Sequence, residues 1–115
     1  MLALPPGTRI YLACGITDMR KGIGSLAVLV QETLAESPFS GAVFAFRGRR
    51  GDLVKLLWHD TQGLCLFVKK MDRARFVWPM TQTGRISLTP AEMSMLLEGI
   101  DWRAPVRVQR PSLAG

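Results

Sequence analysis

Arginine and lysine residues gather in two short stretches of the chain. The first is the glycine-flanked run Arg47-Gly48-Arg49-Arg50-Gly51, and the second is Lys69-Lys70-Met71-Asp72-Arg73-Ala74-Arg75. Guanidinium groups match the geometry of phosphate oxygens, and glycines let a backbone approach a ligand closely. Both runs are therefore candidates for contact with a phosphate backbone, although the first alone is equally compatible with a solvated loop.

The positive charge of the chain is local. The 115 residues include 15 Lys and Arg and nine Asp and Glu, which gives a formal net charge of +6. Residues 47–75 contain eight of the basic residues, with Lys55 between the two runs, and only three acidic ones, so this part alone carries +5. Such an excess favours a polyanionic partner.

A third basic pair, Arg20 and Lys21, follows Asp18 at the expected start of a helix. With Asp18 as N-cap, the two cations would lie in the first turn and oppose the helix dipole. A bound phosphate would offset them, because free N–H groups at a helix N-terminus favour anions. The alternative is that Asp18 compensates both residues locally, and the sequence leaves both interpretations open.

No residues have catalytic or metal-binding spacing. His59 and Asp60 are adjacent, but no Ser or Cys nucleophile is placed to complete a triad. Cys14 and Cys65 have no neighbouring Cys or His that could form a redox motif or a zinc site. The acidic residues are scattered over predicted turns and caps rather than gathered as metal-dependent cleavage requires. We therefore predict no catalytic residues, no metal, no cofactor and no enzyme activity.

The elements that must position the basic residues begin with a strand and a helix. Thr8 to Ala13 is rich in β-forming residues and predicts a first strand. A helix should start at Asp18 and end before Ser37-Pro38, since a residue that precedes proline avoids the α region. Its apolar positions recur every three or four residues: Met19, Ile23, Leu26, Val30 and Leu34.

Short β-rich runs separated by turn residues follow, which predicts an antiparallel meander. Its strands are expected at Ala42–Arg47, Leu53–His59, Leu64–Lys70 and Arg75–Trp78. The first and third turns of a meander lie at the same end of the sheet, so the two basic runs should meet in space.

The last predicted elements are a short strand and a helix. The strand is expected at Arg85–Leu88, and the helix should begin at Thr89-Pro90-Ala91-Glu92, which combines an N-cap threonine, proline in the first turn and a capping-box glutamate. Gly99 is a plausible stop signal.

The predicted fold class is therefore α+β. We expect a single small domain over residues 1–115, with an antiparallel β-meander sheet of about five to six strands flanked by two α-helices, and with residues 1–7 and 104–115 as terminal extensions. The apolar runs are far shorter than the roughly 20 residues that span a bilayer, and the first residues lack the pattern of a signal peptide. The sequence thus predicts a cytoplasmic protein without a membrane partner.

Several blocks of the sequence resemble a known family. These blocks are Thr17-Asp18-Met19-Arg20-Lys21-Gly22-Ile23, Pro38-Phe39-Ser40-Gly41, Phe44 to Asp52, Lys55-Leu56-Leu57-Trp58, Asp60-Thr61-Gln62-Gly63 and Leu97 to Trp102. Through them the chain resembles, between about Thr8 and Arg103, the TnpB-type (Orf2-like) accessory proteins of the IS66 family of bacterial insertion sequences. The resemblance implies a role in transposition beside a separate transposase, and it leaves the mechanism open.

Two hypotheses follow from the residues and the resemblance together. In the first, the protein binds DNA at the element ends, mostly through phosphates, by Arg47, Arg49, Arg50, Lys55, Lys69, Lys70, Arg73 and Arg75, with Arg20 and Lys21 as further candidates. In the second, it docks on the element-encoded transposase without touching DNA, and Trp102 is either an anchor in that interface or a lid on the core. A homo-oligomer is compatible with either, since a two-fold dimer would double the basic surface.

Overall fold

The computed structural model describes residues 4–103 of the chain. The elements are β1 (Ile10–Ile16), α1 (Ile23–Thr33), β2 (Val43–Arg47), β3 (Leu53–His59), β4 (Leu64–Lys70), β5 (Arg85–Leu88) and α2 (Pro90–Leu97). The five strands form one sheet in the order β4-β3-β2-β1-β5. The predicted α+β class, with five strands and two helices, is confirmed. The predicted extension at 104–115 lies outside the described residues, as do residues 1–3.

The sheet is mixed rather than antiparallel throughout. The predicted meander holds for β2, β3 and β4, which pair antiparallel in sequence order, and β5 is antiparallel to β1. However, β1 and β2 are parallel, with Ile10 opposite Val43. Because α1 connects them as a crossover, both strands run in the same direction, which a hairpin does not allow. As a result β1 and β2 end at the same edge of the sheet, where the N–H of Thr17 donates to the carbonyl of Arg47 at 2.9 Å.

The predicted strand at Arg75–Trp78 is wrong. After β4 the chain leaves the sheet and crosses one of its faces, where Phe76 and Trp78 are buried in the core. The N–H of Phe76 donates to the carbonyl of Gly51 at 2.9 Å, and not to a neighbouring strand. Phe76 and Trp78 are buried because they pack on the face of the sheet and not because they pair with a neighbouring strand. Their aromatic side chains give the segment a β-like composition although it forms no strand.

The first helix begins later than predicted. Its N-cap is Gly22, not Asp18, and Met19 lies before the helix. The Asp18 carboxylate instead accepts hydrogen bonds from Arg20, which holds residues 18–20 in a turn. Arg20 and Lys21 therefore precede the helix, and the argument from its dipole does not apply to them.

A helix packs on each face of the sheet. On one face, Leu26, Val30 and Leu34 of the α1 region share a buried cluster with Phe44 and Phe46. On the other face, α2 and the segment with Phe76 and Trp78 cover the alternate strand residues. The predicted capping box is confirmed, since Thr89 and Glu92 exchange hydrogen bonds of 3.0 and 2.8 Å. Both faces of the sheet are thus covered by other elements. The ends of the strands remain available for a binding site.

Candidate nucleic-acid interface

Three loops meet where β1 and β2 end and where β3 begins. We call residues 17–21 the first loop, residues 48–52 the second loop and residues 71–75 the third loop. The N–H of Met71 donates to the carbonyl of Asp52 at 2.8 Å, which joins the third loop to the second. The bond from Thr17 to Arg47 joins the first loop to the base of the second. The predicted convergence of the two basic runs is confirmed, and the first loop is added to them.

A concavity of about 710 Å³ lies between the first and second loops. Met19, Gly48 and Leu53 form its floor, and Ile16 lies at its side with 48% of its surface exposed. Thr17, four cations and two carboxylates complete the lining; the charged residues are Arg20, Arg49, Arg50, Lys70, Asp18 and Asp52. The site therefore combines an apolar floor with a net positive rim.

The second loop is fixed on both sides. On one side, a Cβ atom at Gly48 would lie 2.6 Å from Cγ of Met19, so only glycine allows this close packing. On the other side, Gly51 adopts a positive φ of 78°, and Nε1 of Trp78 donates to its carbonyl at 3.0 Å. The loop is thus held against the body of the protein and does not project as a free hairpin.

Five cations on the second and third loops and at the end of β4 are available to an anion. They are exposed, and within the described residues 4–103 none of them forms an ion pair with an acidic side chain. Guanidinium and ammonium groups of this kind bind phosphates with little cost of breaking internal contacts. The five are Arg49, Arg50, Lys70, Arg73 and Arg75.

Three of the predicted DNA-contact residues make contacts within the protein. Nζ of Lys55 donates to the carbonyls of Met19 and Lys21 at 2.7 and 2.8 Å, which ties β3 to the first loop. Nζ of Lys69 donates to the carbonyl of Leu97 at 2.6 Å, near the end of α2. The guanidinium of Arg47 lies 5.2 Å from the ring centre of Trp78, in a cation–π contact. These three residues are half-buried, and their charged groups are engaged within the protein.

The first loop contributes one cation to the concavity, and that cation is paired. Nη2 of Arg20 lies 2.8 Å from Oδ2 of Asp18. Hydrogen bonds from the Arg20 side chain hold the pKa of Asp18 well below its ordinary value, which favours the ionised form of the pair. This supports local compensation of Arg20 by Asp18, but not of Lys21. Lys21 is half-buried and lines a different cavity, on the other side of the first loop.

Trp102 lies in the core. Its side chain is 7% exposed, and Nε1 donates to the carbonyl of Val77 at 2.6 Å. A tryptophan that anchors an interface must offer its ring to the partner. The placement of Trp102 corresponds to the lid interpretation rather than to the anchor.

The described part of the chain contains no group of three His, Cys, Asp or Glu residues that could hold a metal ion. His59 ends β3 and Asp60 begins the β3–β4 turn, at the opposite end of the sheet, where Nδ1 of His59 accepts from the N–H of Thr61. Within residues 4–103, neither helix has the length and apolar character needed to cross a membrane.

Sequence reasoning missed the floor of the concavity. It treated Met19 as part of a helix face and placed Ile16 outside any element. The signal that could have found the floor is the order strand, helix, strand over residues 8–47, which is typical of a parallel pair. A parallel pairing of β1 and β2 would have placed the first loop beside Gly48.

Comparisons with known proteins found a family model and two similar proteins that match most of the chain. A sequence model described as IS66 Orf2 like protein (TnpB_IS66) matches residues 8–107. Two similar proteins come from Sinorhizobium fredii (strain NBRC 101917 / NGR234). One, named uncharacterized protein y4hO, is 52% identical over 114 residues, covering 97% of this chain and 99% of its own. The other, uncharacterized protein y4jC, is 32% identical over 114 residues and covers 97% of both chains. No solved structure matches the chain.

Proposed function

Since the chain belongs to the IS66 Orf2-like family, and so has an accessory role in transposition, we propose that it binds DNA through the second and third loops and Lys70. The observation that supports this is the meeting of Arg49, Arg50, Lys70, Arg73 and Arg75 at one edge of the sheet. The residues come from two separate stretches of sequence, and the fold brings them together.

The proposed contact is with the phosphate backbone. Five exposed cations on a rigid edge of the sheet position the DNA and provide affinity through its phosphates. The DNA sequence is read by a different kind of contact, to the base pairs in the grooves. We therefore expect the protein to bind duplexes of different sequence with similar affinity. In this proposal it assists the element-encoded transposase by holding DNA at the element ends.

A salt titration of DNA binding tests this function. Neutralisation of five phosphates predicts that the logarithm of the association constant falls with the logarithm of the salt concentration at a slope of about −4 to −5. Fluorescence anisotropy with a labelled blunt duplex measures this slope, and a duplex from the element terminus is compared with a scrambled one of the same length.

The control is a neutral labelled dextran of similar size, which should not bind. Lack of saturable binding to either duplex at low salt would contradict the proposal and would favour docking on the transposase. A strong preference for the terminal duplex would show that base edges or DNA shape are read as well.

A further inference from the structure

We propose that the concavity between the first and second loops binds one unpaired nucleotide of DNA, so that the protein binds DNA with a single-stranded end more tightly than blunt duplex. This inference rests on the proposed DNA binding and makes it more specific. It is carried by the shape of the concavity, by its apolar floor and by the position of its charges.

The shape of the site excludes the usual way in which a hairpin reads duplex DNA. A two-stranded ribbon enters the major groove when its tip projects from the protein. Here the tip of the β2–β3 hairpin is fixed, since Met19 packs on Gly48 and Trp78 bonds to Gly51. The second loop is the wall of a depression of about 710 Å³, which lies in the size range of about 300–1,000 Å³ typical of pockets for small ligands.

The floor matches the face of a base. Met19 and Leu53 are half-buried in the concavity, and Ile16 is 48% exposed beside them, although it ends a core strand. Apolar side chains of this kind hold a base that has left the stack, and guanidinium planes stack on it. A duplex backbone would leave this apolar surface in contact with water, whereas an unpaired base would cover it.

The charges also favour a nucleotide over a simple anion. Arg49, Arg50 and Lys70 line the rim, where the phosphate of the same nucleotide would lie. Asp52 lines the same concavity and would repel a bare phosphate. A carboxylate accepts hydrogen bonds from the exocyclic amino group of a base such as cytosine, so its presence fits a nucleotide. Asp18 is already occupied by Arg20.

The test compares labelled DNAs that share one duplex and differ only at the end: blunt, with a 5′ overhang and with a 3′ overhang. We expect at least one overhang to bind about fivefold or more tightly than the blunt duplex, which is the lower limit for the stacking of one base on a protein surface. Free deoxynucleoside monophosphates are added as competitors, to distinguish a DNA end from a mononucleotide as the source of the ligand.

The variant Ile16→Gln should bring the ratio of overhang to blunt affinity close to one, because it replaces the exposed apolar side of the site with an amide. Val28→Gln is the matched control, since Val28 on α1 is also 48% exposed and does not line the concavity. That variant should keep the wild-type ratio. Thermal unfolding checks both variants, and Ile16→Ala replaces Ile16→Gln if the latter lowers Tm.

The outcomes distinguish a failure of this inference from a failure of the proposed DNA binding. Equal affinity for blunt and overhang DNA would overturn this inference and leave the proposed function standing. Failure of all three DNAs to bind would overturn both. Competition by a mononucleotide at the concentration at which overhang DNA binds would overturn the assignment to a DNA end, and so would an unchanged affinity ratio in the Ile16 variants.

Discussion

Replacing Arg49 and Arg50 together by glutamate is expected to weaken binding to a blunt duplex by about 100-fold near 0.1 M salt and to reduce the salt slope by about two. Both residues are exposed at the tip of the second loop. Each loses a phosphate contact, and each new carboxylate repels the backbone. Anisotropy over a series of salt concentrations measures both quantities.

The fold should not respond to this change, because neither arginine forms an ion pair within residues 4–103. Arg9→Glu is the matched control for the single variant Arg49→Glu. Arg9 is also exposed, but it precedes β1 and so lies at the opposite end of the sheet. Equal losses of affinity in Arg49→Glu and Arg9→Glu would mean that binding depends on net charge alone, and would remove the second loop from the interface.

Gly51→Ala is expected to lower the free energy of unfolding by about 2–3 kcal/mol, of which the left-handed backbone accounts for about 1–2 and a weakened hydrogen bond for about 1. Gly51 has a φ of 78°, and a Cβ atom there would lie 3.2 Å from Nε1 of Trp78. That nitrogen donates to the carbonyl of Gly51, so the added methyl group moves the indole away from its acceptor. Denaturant unfolding followed by tryptophan fluorescence measures the loss.

Gly84→Ala separates the two causes. Gly84 has a φ of 74°, but a Cβ atom there would meet nothing within 4 Å. It should therefore show only the cost of the left-handed backbone. If both variants lose the same free energy, Trp78 does not hold the second loop, and the rigidity that we assign to the interface would have to come from elsewhere.

The sequence predicted much of the fold because several local signals agree with the tertiary structure. The capping box at Thr89 and Glu92 depends only on neighbouring residues, and the meander from β2 to β4 is joined by short turns. The parallel direction of β1 relative to β2 is not a local property, because it depends on the crossover connection through α1. The residue pattern of each element, taken separately, does not specify that β1 pairs with β2 in parallel.

The candidate site could be predicted only in outline. The basic composition of residues 47–75 indicated the edge of the sheet where the basic loops meet, but it could not separate Lys70 from Lys69. Successive side chains of a strand point to opposite faces, so Lys70 faces the concavity while Lys69 reaches the carbonyl of Leu97 on the other side. The partner of a long side chain is a tertiary contact, which the sequence of the strand does not specify.

The proposed contact of DNA with the edge formed by the three loops is tested most directly by backbone amide chemical shifts of the labelled protein. Addition of a blunt duplex is predicted to shift the amide signals of residues 48–52 and 70–75, with smaller shifts at 17–21. Residues 37–41 and 59–63, at the opposite end of the sheet, should not shift. Shifts concentrated at 37–41 and 59–63, or no shifts at saturating DNA, would contradict the account.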